Sequence, residues 1–150
     1  MKINFYHLTQ IPLGKALPRL LEKVLASDMR AVVKALPYAR TLSSDVRAVY
    51  VELDPAGTKA VRGQWTEWGQ NVELVVLESP YRSLMEPLLE YIEQVAAERV
   101  DGYITVVLPE FVPAQWWHHL FHNQRALLIK GALLFKPNTV VTSVPFHLHR

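Results

Sequence analysis

Short apolar runs alternate along the chain with longer segments of helical period. The runs are rich in β-branched and aromatic residues: INFYHL at 3–8, VRAVYVEL at 46–53, NVELVVL at 71–77, GYITVVL at 102–108 and NTVVTSV at 138–144. The last two stop at Pro109 and Pro145, where we expect the strands to end. Near-continuous apolar runs are typical of strands buried on both faces. The alternation with helices predicts an α/β fold with a mostly parallel sheet of five or six strands.

The segment after the third run predicts a helix most clearly. Residues Ser83 to Glu86 have the spacing of a capping box, and Pro87 falls in the first turn, where a missing N–H costs least. One side of this helix is apolar, with a predicted buried stripe of Leu84, Leu88, Tyr91, Ile92 and Val95. The first helical segment, PLGKALPRLLEKVLAS at 12–27, has a similar stripe of leucines and valine. We expect helices of one to four turns.

Residues 29–45, MRAVVKALPYARTLSSD, allow two interpretations. In the first, the segment is a helix with Val32, Leu36, Ala39 and Leu42 on one side. In the second, RAVV is a strand and Pro37 begins a short helix. We favour the helix.

The composition of the chain argues against several classes of function. A chain of 150 residues is most economically one domain, residues 1–150. The net charge is +2, and Lys and Arg are scattered singly, which argues against direct binding to nucleic acid. The absence of cysteine excludes disulfides and thiolate metal sites. No apolar stretch approaches the ~20 residues of a membrane span, so we expect a cytoplasmic protein without one.

The stretch LPEFVPAQWWHHLFHNQ at 108–124 is the stronger candidate metal site, since His147 and His149 in the tail FHLHR resemble a metal-binding tract only weakly. His118 and His122 are four residues apart, so on a helix they would share a face. The zinc-protease pattern needs Glu where this chain has His119, and no third ligand is evident. We therefore expect no metal, with Trp116 and Trp117 as apolar anchors of a helix start. A metal-dependent hydrolase remains an alternative.

Other catalytic motifs are missing. There is no G-x-S-x-G turn, P-loop or dinucleotide fingerprint among the six glycines, which predicts a non-enzyme without a cofactor. The sequence SPYRS at 79–83 follows a strand and precedes a helix. Arg82 and the free amides there could hold an anion, although a packed turn is the simpler interpretation.

Residues 31–148 resemble the cytosolic C-terminal domain of bacterial amino-acid permeases of the amino acid–polyamine–organocation family. The resemblance lies in ALPYARTLS, VVLESPYRSLMEPLLEYIE, ITVVLPEFVPAQWWHHLFHNQRALLIKGALLF and VVTSVPFHL. It implies a three-layer, doubly wound, Rossmann-like fold of the universal-stress-protein type. It also implies a regulatory or protein-interaction role, with the permease or an oligomer as partner. The glycine-spaced ATP motif of stress proteins is absent, and LPEFVPAQWW stands in its place.

Residues 3–29 are instead similar to the opening strand and helix of the chi subunit of the DNA polymerase III clamp loader. This resemblance predicts a fusion-like chain, with residues 1–29 from one parent and 30–150 from the other. It gives an alternative function as a clamp-loader accessory subunit that binds single-stranded-DNA-binding protein and the psi subunit.

In a stress-protein-like strand order, a ligand crevice opens between the first and fourth strands, outside their carboxyl ends. We expect SPYRS to lie close by. The candidate ligand-binding residues are therefore His7, Thr9, Ser79, Tyr81, Arg82, Ser83 and Glu110. Because the two resemblances meet in this crevice, we expect any nucleotide to bind weakly.

Overall fold

A computed structural model of the protein describes residues 2–7, 18–81, 83–98, 102–112 and 124–147. Strands and helices alternate along this part of the chain. The strands are β1 (Lys2–His7), β2 (Val46–Glu52), β3 (Glu73–Glu78), β4 (Tyr103–Val112) and β5 (Thr139–His147). The helices are α1 (Pro18–Leu42), α2 (Pro55–Trp68), α3 (Met85–Glu98) and α4 (Gln124–Leu134). The predicted α/β class is confirmed.

The strands pair in the order β3-β2-β1-β4-β5, and every pairing is parallel. Parallel neighbours need a crossover connection, and a helix follows each of the first four strands. The predicted parallel arrangement is thus confirmed. The β4–β5 pairing is the longest, running from Ile104 opposite Thr139 to Val112 opposite His147.

Helices cover both faces of the sheet. On the first face, α1 and α2 pack against β2 and β4 through one buried apolar cluster. On the second face, α3 and α4 pack against the same strands through a second cluster. Side chains of β2 alternate between the two, with Ala48 and Tyr50 in the first and Val49 in the second.

Helix α1 is longer than the sequence suggested. Its 25 residues make about seven turns, where one to four were expected. The helical interpretation of 29–45 is confirmed as far as Leu42, and the strand at RAVV is wrong. A continuous buried stripe explains this: Met29, Val32, Leu36 and Ala39 are all buried on one side. Pro37 lies inside the helix at an exposed position.

Two prolines do not end their strands. Strand β4 continues past Pro109 to Val112, and β5 continues past Pro145 to His147. Proline lacks a backbone N–H, so it is tolerated where a strand has a partner on one side only. That condition holds at both positions. Strand β5 is at the edge of the sheet, and the pairing of β4 with β1 reaches only Val106.

Helix α3 forms in the predicted segment, with three residues of the predicted stripe fully buried. Leu88, Ile92 and Val95 are buried, and Leu84 and Tyr91 pack against them at partly buried positions. The helix begins at Met85, and Pro87 lies in its first turn.

The tryptophan and histidine stretch, residues 116–119 and His122, lies outside the described residues. Within the described part, no helix is both long and apolar enough to cross a membrane.

Candidate functional site

The strand order reverses between β1 and β4, where a doubly wound sheet opens a crevice. His7 is the last residue of β1, and Glu110 is inside β4. Thr9 and Arg82 lie outside the described residues. Ser79, Tyr81 and Ser83 follow β3, which is separated from β4 by β2 and β1. Three strand spacings make about 14 Å. The expectation that SPYRS lies beside Glu110 is therefore wrong, because β3 is the far edge of the sheet.

Glu110 is engaged inside the fold. Its Oε1 atom accepts a hydrogen bond from the Ser143 hydroxyl at 2.7 Å and contacts the Lys130 ammonium. The Glu110 side chain is only 14% exposed, which strengthens these charge-assisted bonds. The cluster joins β4, β5 and α4. Sequence reasoning missed it because the partners are 20 and 33 residues away along the chain.

The opposite face of the β4–β5 pair is also in contact with a helix. The Lys34 ammonium of α1 lies 4.8 Å from the centre of the Phe146 ring of β5, a cation–π geometry. The carboxyl ends of β4 and β5 are thus fixed to α4 on one face and to α1 on the other.

A cavity of about 280 Å³ opens at the carboxyl ends of β2 and β3. Glu52 and Glu78, which are register partners in the sheet, line it together with Asp54 and Ser79. The Asp54 carboxylate caps α2 by accepting hydrogen bonds from the amides of Ala56 at 3.3 Å and Gly57 at 2.8 Å. The sequence contained the signal for this cavity, since neighbouring parallel strands both end in Glu.

A second cavity, of about 170 Å³, adjoins the first. Glu78, Glu86 and Glu90 line it together with Tyr81, whose residue surface is 87% exposed. Ser79 does not face a ligand freely, because its hydroxyl donates to the Ser83 carbonyl at 2.7 Å. The described lining of both cavities contains carboxylates and no Lys or Arg. These carboxylates attract cations, whereas Arg82, the residue of SPYRS that was predicted to hold an anion, lies outside the described residues.

A further ionic cluster lies at the opposite end of β2. The Arg47 guanidinium donates to the Tyr91 hydroxyl at 3.3 Å, and it pairs with Asp45 at 3.3 Å and Glu98 at 3.8 Å. The hydrogen bond that Arg47 donates to Tyr91 raises the pKa of Arg47 above its ordinary value; burial opposes this change, and the two carboxylates support it. This cluster ties β2 to α3. Among the described residues, no group of three or more His, Asp or Glu is placed to hold a metal ion.

Comparison with known proteins identifies a family. The family model of the KimA potassium transporter C-terminal domain matches residues 22–146. The potassium transporter KimA of Bacillus subtilis (strain 168) is 35% identical over 128 residues, which cover 84% of this chain and 21% of that protein. The chain therefore spans about a fifth of the length of this relative.

The comparisons change two assignments. The resemblance to a transporter C-terminal domain is confirmed at that level, but the match is to a potassium transporter and gives no specific support to an amino-acid permease. Neither finding supports the chi subunit. The junction proposed near residue 30 falls in the middle of the continuous helix α1, and the family match begins before it, at residue 22. The chain belongs to the family of KimA potassium transporter C-terminal domains.

Proposed function

We propose that the chain is a non-catalytic regulatory domain that acts by binding a potassium transporter of the KimA type. The observation that carries this proposal is the family match over residues 22–146. A single domain of the universal-stress-protein type, on the cytoplasmic side of the membrane, is part of the proposal. The parallel strand order and the helices on both faces support that fold type.

The hydrogen bonds that several polar side chains make within the fold support a non-catalytic role. Glu110 binds Lys130 and Ser143, Asp54 caps α2, and Ser79 bonds to Ser83. A general base or nucleophile must reach the group on which it acts. Here these candidate groups are committed to holding strands and helices in place.

A binding domain can regulate a transporter only by favouring one of its conformations. The change in the free-energy difference between two transporter conformations cannot exceed the difference between the binding free energies of the domain for them. We therefore infer that the domain contacts a part of the transporter that moves during transport.

The test uses the KimA protein of Bacillus subtilis, reconstituted in liposomes after deletion of its own matching region. We expect the intact chain to copurify with it in detergent and to change the rate of potassium uptake. The control is an unrelated potassium channel, reconstituted in liposomes and tested for copurification and potassium uptake with the same chain. Failure of the chain to bind or to alter uptake would contradict the proposal. Turnover of a nucleotide by the chain alone would contradict its non-catalytic part.

The ligand crevice remains a separate proposal. We propose that any nucleotide binds weakly beside SPYRS, at the carboxyl ends of β2 and β3, because the described cavities next to Ser79 and Tyr81 are lined by carboxylates that repel its phosphates. Calorimetric titration with ATP should show no micromolar binding. Arg82→Ala tests the predicted anion contact, and Arg62→Ala, at an exposed position on α2, is the matched control. Micromolar binding that is lost only in Arg82→Ala would overturn the proposal.

A further inference from the structure

The helices on the two faces of the sheet differ in charge. On the second face, α3 has four glutamates and no Lys or Arg. On the first face, residues 29–42 of α1 and 55–68 of α2 expose five cations and one carboxylate, that of Glu67. We call these five cations the basic face: Arg30, Lys34, Arg40, Lys59 and Arg62.

The fold gathers these cations from separate parts of the sequence. Helices α1 and α2 each lead from the carboxyl end of one parallel strand to the amino end of the next, so they run in the same direction, and they are in contact. At 1.5 Å per residue, Arg30 and Lys34 lie about 12–18 Å before the end of α1. Lys59 and Arg62 lie about 9–14 Å before the end of α2. Four cations therefore share one level of two adjacent helices.

The charges of the basic face are available to an external partner. Arg30, Lys59 and Arg62 form no ion pair with any residue that the structure describes. Arg40 contacts a backbone carbonyl and Lys34 an aromatic ring, and neither contact cancels a full positive charge. Cations without carboxylate partners retain their attraction for an external anion.

An anionic membrane surface matches this face. The cations are spread over two helices, which suits an extended anionic surface better than one small anion. The cytoplasmic surface of a membrane is negative because of its anionic lipids, and each Lys or Arg near it strengthens binding about fivefold. Tyr38, which is 40% exposed, follows Lys34 by four residues and so lies on the same side of α1. Tyrosine is enriched where a membrane meets water.

We propose that the basic face binds the anionic lipid surface beside the transporter. This proposal rests on the proposed function, which brings the chain next to a membrane protein. It places α1 and α2 toward the bilayer and turns the acidic helix α3 away from it. Lipid binding then adds an orienting contact to the binding of the transporter itself.

Cosedimentation with protein-free vesicles tests the proposal. We expect the intact chain to bind vesicles of equal parts phosphatidylglycerol and phosphatidylcholine, half-maximally on the order of 1 mM lipid. Vesicles of phosphatidylcholine alone should not bind it. Raising the salt from about 50 mM to about 500 mM should release the chain, because the charges are exposed. Since no transporter is present, an absence of binding would overturn the lipid proposal and leave the proposed function standing.

Two double variants of equal net charge test which face binds. Arg30→Gln with Lys59→Gln removes two charges from the basic face, and Gln94→Glu with Ala97→Glu adds two carboxylates at exposed positions of α3. The first pair should weaken vesicle binding at least tenfold, and the second by less than about threefold. Unchanged urea midpoints would show that both variants fold. Equal weakening would mean that net charge alone governs binding, against the proposal.

A fluorescent label locates the contact. The chain has no cysteine, so one introduced thiol carries the label at one position. A polarity-sensitive dye at Thr66→Cys, on the exposed side of α2, should shift to the blue when phosphatidylglycerol vesicles are added. The same dye at Ala97→Cys on α3 should not shift. An equal shift at both positions would contradict the assigned face.

Duplex DNA distinguishes a lipid surface from any polyanion. At the same salt concentration and the same concentration of phosphate groups, DNA should compete poorly with the vesicles for the chain. Inorganic phosphate should not compete, because the proposed site is an extended surface. Equal binding to DNA, or displacement by phosphate at millimolar concentration, would overturn the assignment to lipid.

Discussion

On the face of the sheet that α1 and α2 cover, the core contains the aromatic side chains of Tyr50 and Trp65. On the face that α3 and α4 cover, all the described buried side chains are aliphatic. The outer surfaces differ as well. Helix α2 shows polar residues to the outside, whereas α4 shows Leu127, Leu128 and Leu134, and Phe135 lies exposed in the turn that follows it. Among the described residues, α2 therefore has no large exposed apolar side chain, whereas α4 has apolar side chains on both its buried and its exposed side.

This difference shows that an apolar residue can either stabilise the folded monomer or wait for a partner to cover it. A buried apolar side chain stabilises the chain by itself, because burial removes it from water in the folded monomer. An exposed apolar cluster contributes nothing comparable until a partner covers it. Substitutions on the two faces should therefore give different patterns of stability and association.

The largest effect is expected at the aromatic core of the first face. Trp65 is buried, its indole N–H donates to the Val72 carbonyl at 2.8 Å, and Gly69 lies directly against the ring. Trp65→Ala should lower the free energy of unfolding by about 3–5 kcal/mol in urea denaturation. The half-buried Trp68 is the comparison, and Trp68→Ala should cost clearly less. Equal losses would show that the two indoles are not buried to different degrees.

The two sides of α4 give the next contrast. Leu133 is fully buried, and its neighbour Leu134 is 78% exposed. Leu133→Ala should cost about 3 kcal/mol of unfolding free energy, because it leaves a cavity in the aliphatic core. Leu134→Ala should change it by less than about 0.5 kcal/mol at concentrations where the chain is monomeric. A large loss from Leu134→Ala in the monomer would mean that the chain itself covers the Leu134 side chain.

Ion pairs of different exposure give a smaller contrast. Glu110 is mostly buried and bound to Lys130 and Ser143, whereas Glu93 is 62% exposed and bound to Lys136. Glu110→Gln should lower the free energy of unfolding by about 1–2 kcal/mol, because it weakens charge-assisted bonds at a protected site. Glu93→Gln should change it by at most about 0.5 kcal/mol. Denaturation at low and high salt tests both, and the Glu93 effect should be the more strongly screened.

The smallest effect concerns pH. Burial raises the pKa of Tyr50 above its ordinary value of 10.0; the Thr58 hydroxyl opposes this effect in part, and the Asp54 and Glu52 carboxylates add smaller increases. The folded chain thus keeps this proton at a pH where the unfolded chain loses it. The associated stability is complete below pH 10 and is lost as the pH rises toward the folded pKa.

Tyr50→Phe should therefore change the unfolding free energy by less than about 1 kcal/mol at pH 7 and flatten its decline above pH 10. Urea denaturation between pH 8 and pH 11 measures this, with Tyr81→Phe at an exposed position as the control. If both variants declined as steeply as the parent chain, Tyr50 would not be the group responsible.

Local patterns predicted much of this fold. The apolar runs became the five strands of the described part, and the stripe around Leu88 became the buried side of α3. The prediction that two strands end at proline was wrong, because the effect of proline on a strand depends on whether the strand has a hydrogen-bonded neighbour on both sides. Pro109 and Pro145 lie where the strands have one partner, which a local pattern does not record.

The candidate site was less predictable for the same reason. The positions of β3 and β4 in the sheet decide that Ser79 and Glu110 are far apart, and strand order depends on contacts that are distant in sequence. Glu110 likewise binds Lys130 and Ser143, which are close to it in space and distant in sequence. The acidic ends of β2 and β3 were visible in the sequence, however, and a comparison of strand ends would have found that cavity.

The central position of β1 has a consequence for how the chain folds during synthesis. Residues of β1 pair with β2 on one side and on the other with β4, so that Lys2 lies opposite Tyr103. The half-sheet of β1, β2 and β3 can assemble as soon as its residues leave the ribosome, but one edge of β1 stays without its partner until residues 103–106 emerge. Such long-range parallel pairing is slow, and an open strand edge is a point where nascent chains aggregate. At a translation rate of about 5–20 residues per second, that edge stays open for roughly 1–6 seconds.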